Sequence, residues 1–230
     1  DLILKIKSKK KRNPNWFSIN FQEPINYKFT KNSSLNELSL DVSPGKRYSI
    51  VGRSGVGKST FLKSIAGQNN FYRHKLMVEK NNYLTKFQNF TESMTYIPQE
   101  PQLLEGSALY NIVNIQNSKT INIERLKKSI YISEFLDGEN KNIIEVLKSI
   151  KIDKDGKGLS GGERQRLIVA QAIYSNPYFL LVDEGLCALS NQRAQRVSNK
   201  IFKSDIPCII YISHNDVDLS VWSNTIEIIG

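Results

Sequence analysis

Cysteine and histidine are scarce: the 230 residues include two of each, Cys187, Cys208, His74 and His214. They are too few and too scattered for a zinc site, whose ligands come in close pairs. Two thiols also exclude a disulfide framework, and they suit a reducing compartment. Long hydrophobic runs are missing as well. No stretch approaches the ~18 apolar residues of a membrane-spanning helix, and no signal-peptide pattern opens the chain. It begins at Asp1 rather than Met, which reads as a piece cut from something longer. Acidic residues are outnumbered, 22 against 32 Lys and Arg, for a net charge of +10. Such an excess suits nucleic acid, an anionic membrane surface or plain solubility. Much of it sits in Lys5, Lys7, Lys9, Lys10, Lys11 and Arg12, with no aromatic residues interleaved for base stacking, so no nucleic-acid partner is expected. Residues 1–15 read as a basic linker, either a solvated tail or a polybasic segment beside a membrane. The rest has a globular composition, 40% hydrophobic and 23% charged, sufficient for one domain or a core plus a subdomain.

What is abundant is pattern. Gly52-Arg53-Ser54-Gly55-Val56-Gly57-Lys58-Ser59 fits G-x-x-x-x-G-K-[ST], a phosphate-cradling P-loop. The apolar run Lys46–Val51 before it reads as a strand. Thr60–Ala66 after it places Phe61, Leu62 and Ile65 at helical spacing, closed by Gly67. Glycines without a Cβ let the backbone wrap a polyphosphate and turn N–H groups inward, and the helix adds its positive end. Lys58 would neutralise the β- and γ-phosphates, and the Ser59 hydroxyl would ligate Mg²⁺. A glycine-rich turn bearing Lys and Ser by chance would not need that strand and helix.

Upstream, Trp16–Phe21, Ile25–Phe29 and Leu35–Val42 read as strands, and with residues 46–51 they suggest an antiparallel layer. Residues 68–92 are polar and show no period. Thr95–Pro98 reads as a short strand ending at Gln99. From about 107 to 150 the signals are helical, notably Ile123–Phe135 and Ile143–Ile150, which suggests a helical insertion over about 100–158.

Three later stretches carry chemistry. In Leu159-Ser160-Gly161-Gly162-Glu163, Ser160 and Glu163 have capping-box spacing, the ordinary start of a helix. A cap does not ask for two glycines, however; they would let the backbone approach a second anion. Tyr178–Asp183 reads as a buried strand ending in Asp183-Glu184, either an acidic loop or a Mg²⁺-side carboxylate beside a base. Pro207–Ile212 is another apolar strand, followed by His214, which alone would be a structural histidine. Ligands of α/β sheets bind beyond the carboxyl ends of strands. Strands ending at Gly52, Asp183-Glu184 and His214 therefore point to one shared site.

From about residue 16 to 230 this order of motifs resembles the nucleotide-binding domain of ABC transporters. Leu159–Glu163 is similar to the family's signature sequence, which is far more specific than a P-loop. Gln99 in Tyr96-Ile97-Pro98-Gln99 resembles the Q-loop glutamine, Asp183 and Glu184 the Walker B aspartate and catalytic glutamate, and His214 the switch histidine. The resemblance implies an α/β fold: a P-loop NTPase (RecA-like) core, an antiparallel β subdomain and a helical subdomain. Gln99–Ser107 followed by Asn111-Ile112 looks exporter-like. Phe29 stands where a tyrosine commonly stacks on adenine, with Tyr27 the choice in a shifted frame. Three departures are visible: Cys187-Ala188-Leu189-Ser190 where the D-loop usually ends in aspartate, Asp153–Gly156 in place of the acidic exporter motif, and Gln171 where arginine is frequent.

The resemblance implies two cassettes paired head to tail around two MgATP. Gly52 to Thr60 of one would hold an ATP capped by Ser160, Gly161, Gly162 and Glu163 of the other. Ser59, Gln99 and Asp183 would serve the Mg²⁺; Glu184 would orient or deprotonate water, and His214 would hold the γ-phosphate. A transmembrane domain is the other implied partner, which places the chain on the cytoplasmic face of a membrane. The rival expectation is a soluble ABC-type ATPase acting on ribosomes or nucleic acid, mildly favoured by the basic charge. A small-molecule P-loop kinase leaves Leu159–Glu163 unexplained.

Overall fold

The computed structural model describes residues 17–21, 25–26, 34–35, 39–42, 45–68, 76–80, 83–86, 94–100, 102–114, 121–138, 142–212 and 224–227. Its centre is a five-stranded, all-parallel sheet of β5 (Lys46–Val51), β8 (Met94–Ile97), β11 (Phe179–Asp183), β12 (Cys208–Ile212) and β13 (Asn224–Glu227), in the order β13-β5-β12-β11-β8. β11 and β12 are buried at every position. A parallel strand is covered on both faces, so it reads as a continuous apolar run rather than an alternation. The strand before the P-loop, β5, thus belongs to this sheet and not to the antiparallel layer expected for residues 46–51.

That layer exists without it. β1 (Phe17–Phe21), β4 (Ser39–Val42), β6 (Leu76–Lys80) and β7 (Tyr83–Lys86) form an antiparallel sheet in the order β4-β1-β6-β7. The expected strand over Leu35–Val42 is two strands. Its first part, β3 (Ser34–Leu35), pairs with β2 (Ile25–Asn26) in a separate ribbon. The structure also supplies strands in the polar stretch 68–92: β6 and β7 pair antiparallel, with Lys80 opposite Tyr83.

Helix α1 (Lys58–Ile65) follows β5 and buries Phe61, Leu62 and Ile65 completely, as their spacing predicts. Gly67 at φ +70° and a Gln68 N–H to Lys63 carbonyl bond of 3.0 Å close it. The helical part is built from α2 (Ala108–Val113), α3 (Ile123–Ser133) and α4 (Ile143–Ser149). A short ladder between β9 (Gly106–Ser107) and β10 (Lys151–Ile152) staples its two ends together. Ser107 and Asn122 cap α2 and α3 through their side-chain oxygens.

Helix α5 (Gly161–Tyr174) joins the two lobes. Its Leu167, Ala170 and Tyr174 enter the apolar cluster of α2, α3 and α4. Its Ile168, Val169, Ala172 and Ile173 enter the cluster that coats the sheet under α6 (Asn191–Phe202). Two apolar sides on one helix mean burial from both directions. Asn176 at φ +53° and Pro177 end it.

Candidate active site

The carboxyl ends of β5, β12, β11 and β8 lie side by side, which brings the P-loop, Asp183-Glu184 and the Gln99 segment to one edge of the sheet. Gly55 (φ +77°) and Gly57 (φ +104°) take backbone angles that residues with a Cβ avoid, so the loop can curl over the start of α1. Lys58, the first residue of α1, is buried, and its ammonium donates to the carbonyls of Gly52 (2.9 Å) and Arg53 (3.0 Å). Arg53 and Ser54 are exposed at the tip, and Val56 is buried beneath it.

Asp183 is 2% exposed, and each of its oxygens accepts one bond. The Ser59 hydroxyl donates to Oδ1 at 2.7 Å, and the Tyr96 phenol donates to Oδ2 at 2.5 Å. Burial, then the bond to Asp183, pushes the Tyr96 phenol well above its ordinary range, so it remains a donor near neutrality. Ser59, Tyr96, Gln99, Gln171 and Asp183 line a cleft of about 540 Å³. A hydroxyl and a carboxylate 2.7 Å apart are hard oxygen donors, and with a glutamine on the same cleft they fit Mg²⁺ rather than a softer metal.

Glu184, next to Asp183, is buried and held at φ +52°. Its N–H donates to the Ile212 carbonyl (3.0 Å), which fixes it to the end of β12. A left-handed glutamate is uncommon, and such angles cluster at functional sites. Gly185 follows because nothing larger fits: a Cβ there would lie 2.4 Å from Ile97 Cγ2.

The signature stretch has the capping box its spacing predicts. Ser160 N–H and Oγ–H both donate to Glu163 Oε2 at 2.7 Å, and Glu163 N–H donates to Ser160 Oγ at 3.3 Å. These bonds from Ser160 hold the Glu163 carboxyl below its usual range. Gly161 and Gly162 serve an approach within the chain as well: a Cβ on Gly162 would lie 3.3 Å from the Ala188 carbonyl oxygen and from Leu189 Cδ2. Ser160–Glu163 do not line the Ser59–Asp183 cleft.

Two residues in this region escaped the sequence reading. Tyr96 looks like any strand aromatic, and Gln165 like a surface glutamine, yet Gln165 is 2% exposed and bonded to three residues. No local signal singles Gln165 out, since it is one of four polar residues, Glu163 to Arg166, between Gly162 and the apolar run from Leu167. Phe29, Tyr27, His214 and the basic linker lie outside the described residues. Among the described residues no helix is long and apolar enough to cross a membrane.

A family profile described as ABC transporter matches residues 35–186. The chain belongs to the ABC transporter family. It is 32% identical over 215 residues to a Rickettsia typhi protein whose name carries the words export ATP-binding/permease protein, covering 88% of this chain and 35% of that one. It is 28% identical over 200 residues to the lacticin-481/lactococcin-DR transport/processing ATP-binding protein of Lactococcus lactis, covering 83% of this chain and 27% of that one. Against the ATP-dependent lipid A-core flippase of Pseudomonas syringae the identity is 30% over 179 residues, covering 74% and 28%. The chain thus spans about a third of the length of these ABC relatives, or less. A solved structure of a bacterial Atm1-family ABC exporter with ATP bound superposes with a TM-score of 0.66 at 23% identity, over 89% of this chain and 36% of that one, which establishes the shared ABC fold.

Proposed function

We propose that this chain is the ATP-binding and ATP-hydrolysing motor of an ABC exporter, paired head to tail with a second cassette and coupled to a transmembrane domain at the cytoplasmic face of a membrane. The observation that carries the proposal is the Ser59–Asp183 pair on one cleft with Gln99, beside a buried P-loop lysine and a buried Glu184. Phosphoryl transfer needs positioning and charge stabilisation more than covalent help, and this arrangement supplies both. Lys58 would leave the Gly52 and Arg53 carbonyls for the β- and γ-phosphates, while N–H groups of residues 52–60 hold the rest. Ser59, Asp183 and Gln99 would hold Mg²⁺, which neutralises phosphate charge. Glu184 would orient or deprotonate the attacking water, His214 would hold the γ-phosphate, and Phe29 would stack on adenine.

Because Ser160–Glu163 stand off the cleft, their contribution would come from the second cassette, with Ser160 turning its hydroxyl from Glu163 to the partner's ATP. The names of the relatives, export and lipid A-core flipping among them, support the exporter reading. Glu184→Gln tests it: hydrolysis by the full-length protein should fall at least ~100-fold, the scale of a lost general base, while ATP stays bound and the dimer is favoured. Hydrolysis at the wild-type rate would remove Glu184 from that role.

A further inference from the structure

We propose that Gln165 is a positioning residue that ties the Gln99 segment to the Cys187–Ser190 loop, so that the two move as one body. The proposal rests on the ATP-hydrolysing reading of the site only for its kinetic consequence; the tie itself is a matter of geometry. The Gln165 Nε2 group donates to the Gln99 carbonyl at 3.3 Å and to Cys187 Sγ at 3.1 Å. Its Oε1 accepts from Ala188 N–H at 2.7 Å. The partners dictate which end is which: a backbone N–H can only donate and a carbonyl can only accept. One planar carboxamide therefore spans two loops that have no strand pairing with each other.

Both loops flank the candidate site. Gln99 lies on the cleft with Ser59 and Asp183. The other loop begins three residues after Glu184, whose carbonyl accepts from Cys187 N–H at 3.1 Å, and Ala188 sits against the helix start, 3.5 Å from where a Gly161 Cβ would be. Gln165 itself belongs to α5, whose first turn is the signature stretch. A displacement of Gln99 by a nucleotide or its cation is thus passed through one side chain to the loop that seats Gly161 and Gly162. Volume alone does not call for a glutamine here. A buried carboxamide costs more to desolvate than Leu or Met unless its bonds are made, and here donor and acceptor ends are both used.

The test compares the full-length protein with Gln165→Met, which removes both ends, and Gln165→Glu, which keeps the acceptor for Ala188 but sets oxygen against the Gln99 carbonyl. Amide exchange is followed in residues 97–100 and 185–190, along with the melting temperature and ATP kinetics. In Gln165→Met both segments should exchange about tenfold faster, the worth of a buried hydrogen bond. In Gln165→Glu only residues 97–100 should loosen. In both variants kcat should fall while KM for ATP holds, because Gln165 does not touch the Gly52–Thr60 loop. A response of Ala188 alone in Gln165→Met would overturn the tie, as would variants with wild-type exchange and kcat. Should Gln165→Met fail to fold, Gln165→Glu decides by the same exchange pattern. A wild type that hydrolyses no ATP would overturn the hydrolytic reading instead, leaving the exchange data to judge Gln165.

Discussion

Asp183 has no free orientation: Ser59 pins one oxygen and Tyr96 the other. A carboxylate fixed this way presents its remaining lone pairs in one direction, which is what a cation site requires of an outer partner such as Tyr96. Tyr96→Phe should therefore raise the Mg²⁺ concentration for half-maximal hydrolysis by about tenfold, the scale of a lost outer-shell partner, and should also lower the melting temperature, because a buried carboxylate oxygen loses its donor. An unchanged Mg²⁺ titration would reduce Tyr96 to packing. Ser59 and Asp183 were legible in the sequence because motif spacing encodes them. Tyr96 was not, because its role is set by a partner 87 residues away that no local pattern announces. Gln165 was hidden for the same reason.

Arg47 shows how elements are locked behind the site. It is 7% exposed, and its guanidinium donates to the carbonyls of Phe202, Ser204, Pro207 and Lys46 at 2.9–3.2 Å. It thus gathers the end of α6, the turn after it and β5 around one cation, with the α6 carbonyl end favouring positive charge. Arg47→Met should cost roughly 3 kcal/mol, since several buried carbonyls lose a charged donor at once, and the urea midpoint should drop without a change in slope. A midpoint equal to wild type would contradict the locking role. Helices and parallel strands were readable from apolar spacing, as α1, α3 and β11 illustrate. β6 and β7 were not, since their short apolar runs, Leu76-Met77-Val78 and Tyr83-Leu84, sit inside a stretch otherwise rich in Asn and Lys. The Asn81-Asn82 dipeptide was a turn signal that the sequence itself offered there.

For the molecule as a whole, the shared edge of strand ends followed from the sequence, whereas the double allegiance of α5 did not, because apolar residues on two sides of a helix look simply hydrophobic. The interior also sets an alkaline limit. Burial pushes the Cys208 thiol up to about 12 from 9.0, with Arg47 and Lys46 pulling it back, and burial likewise raises the Tyr211 phenol. Both must stay protonated in the fold while the unfolded chain releases its protons earlier. Their contribution is intact below pH 9 and is lost as pH rises towards 12. The urea midpoint should fall steadily above pH 9 and flatten in its first part in Cys208→Ala; a midpoint constant up to pH 10.5 would contradict this. The position of α5 has a further consequence for exchanging parts between members of the family. A chimaera that swaps residues 100–158 would import α2, α3 and α4 without Leu167, Ala170 and Tyr174, the side chains they close upon. The natural seam for recombination lies after Tyr174, and even there the incoming helix must match the host's sheet with its other side.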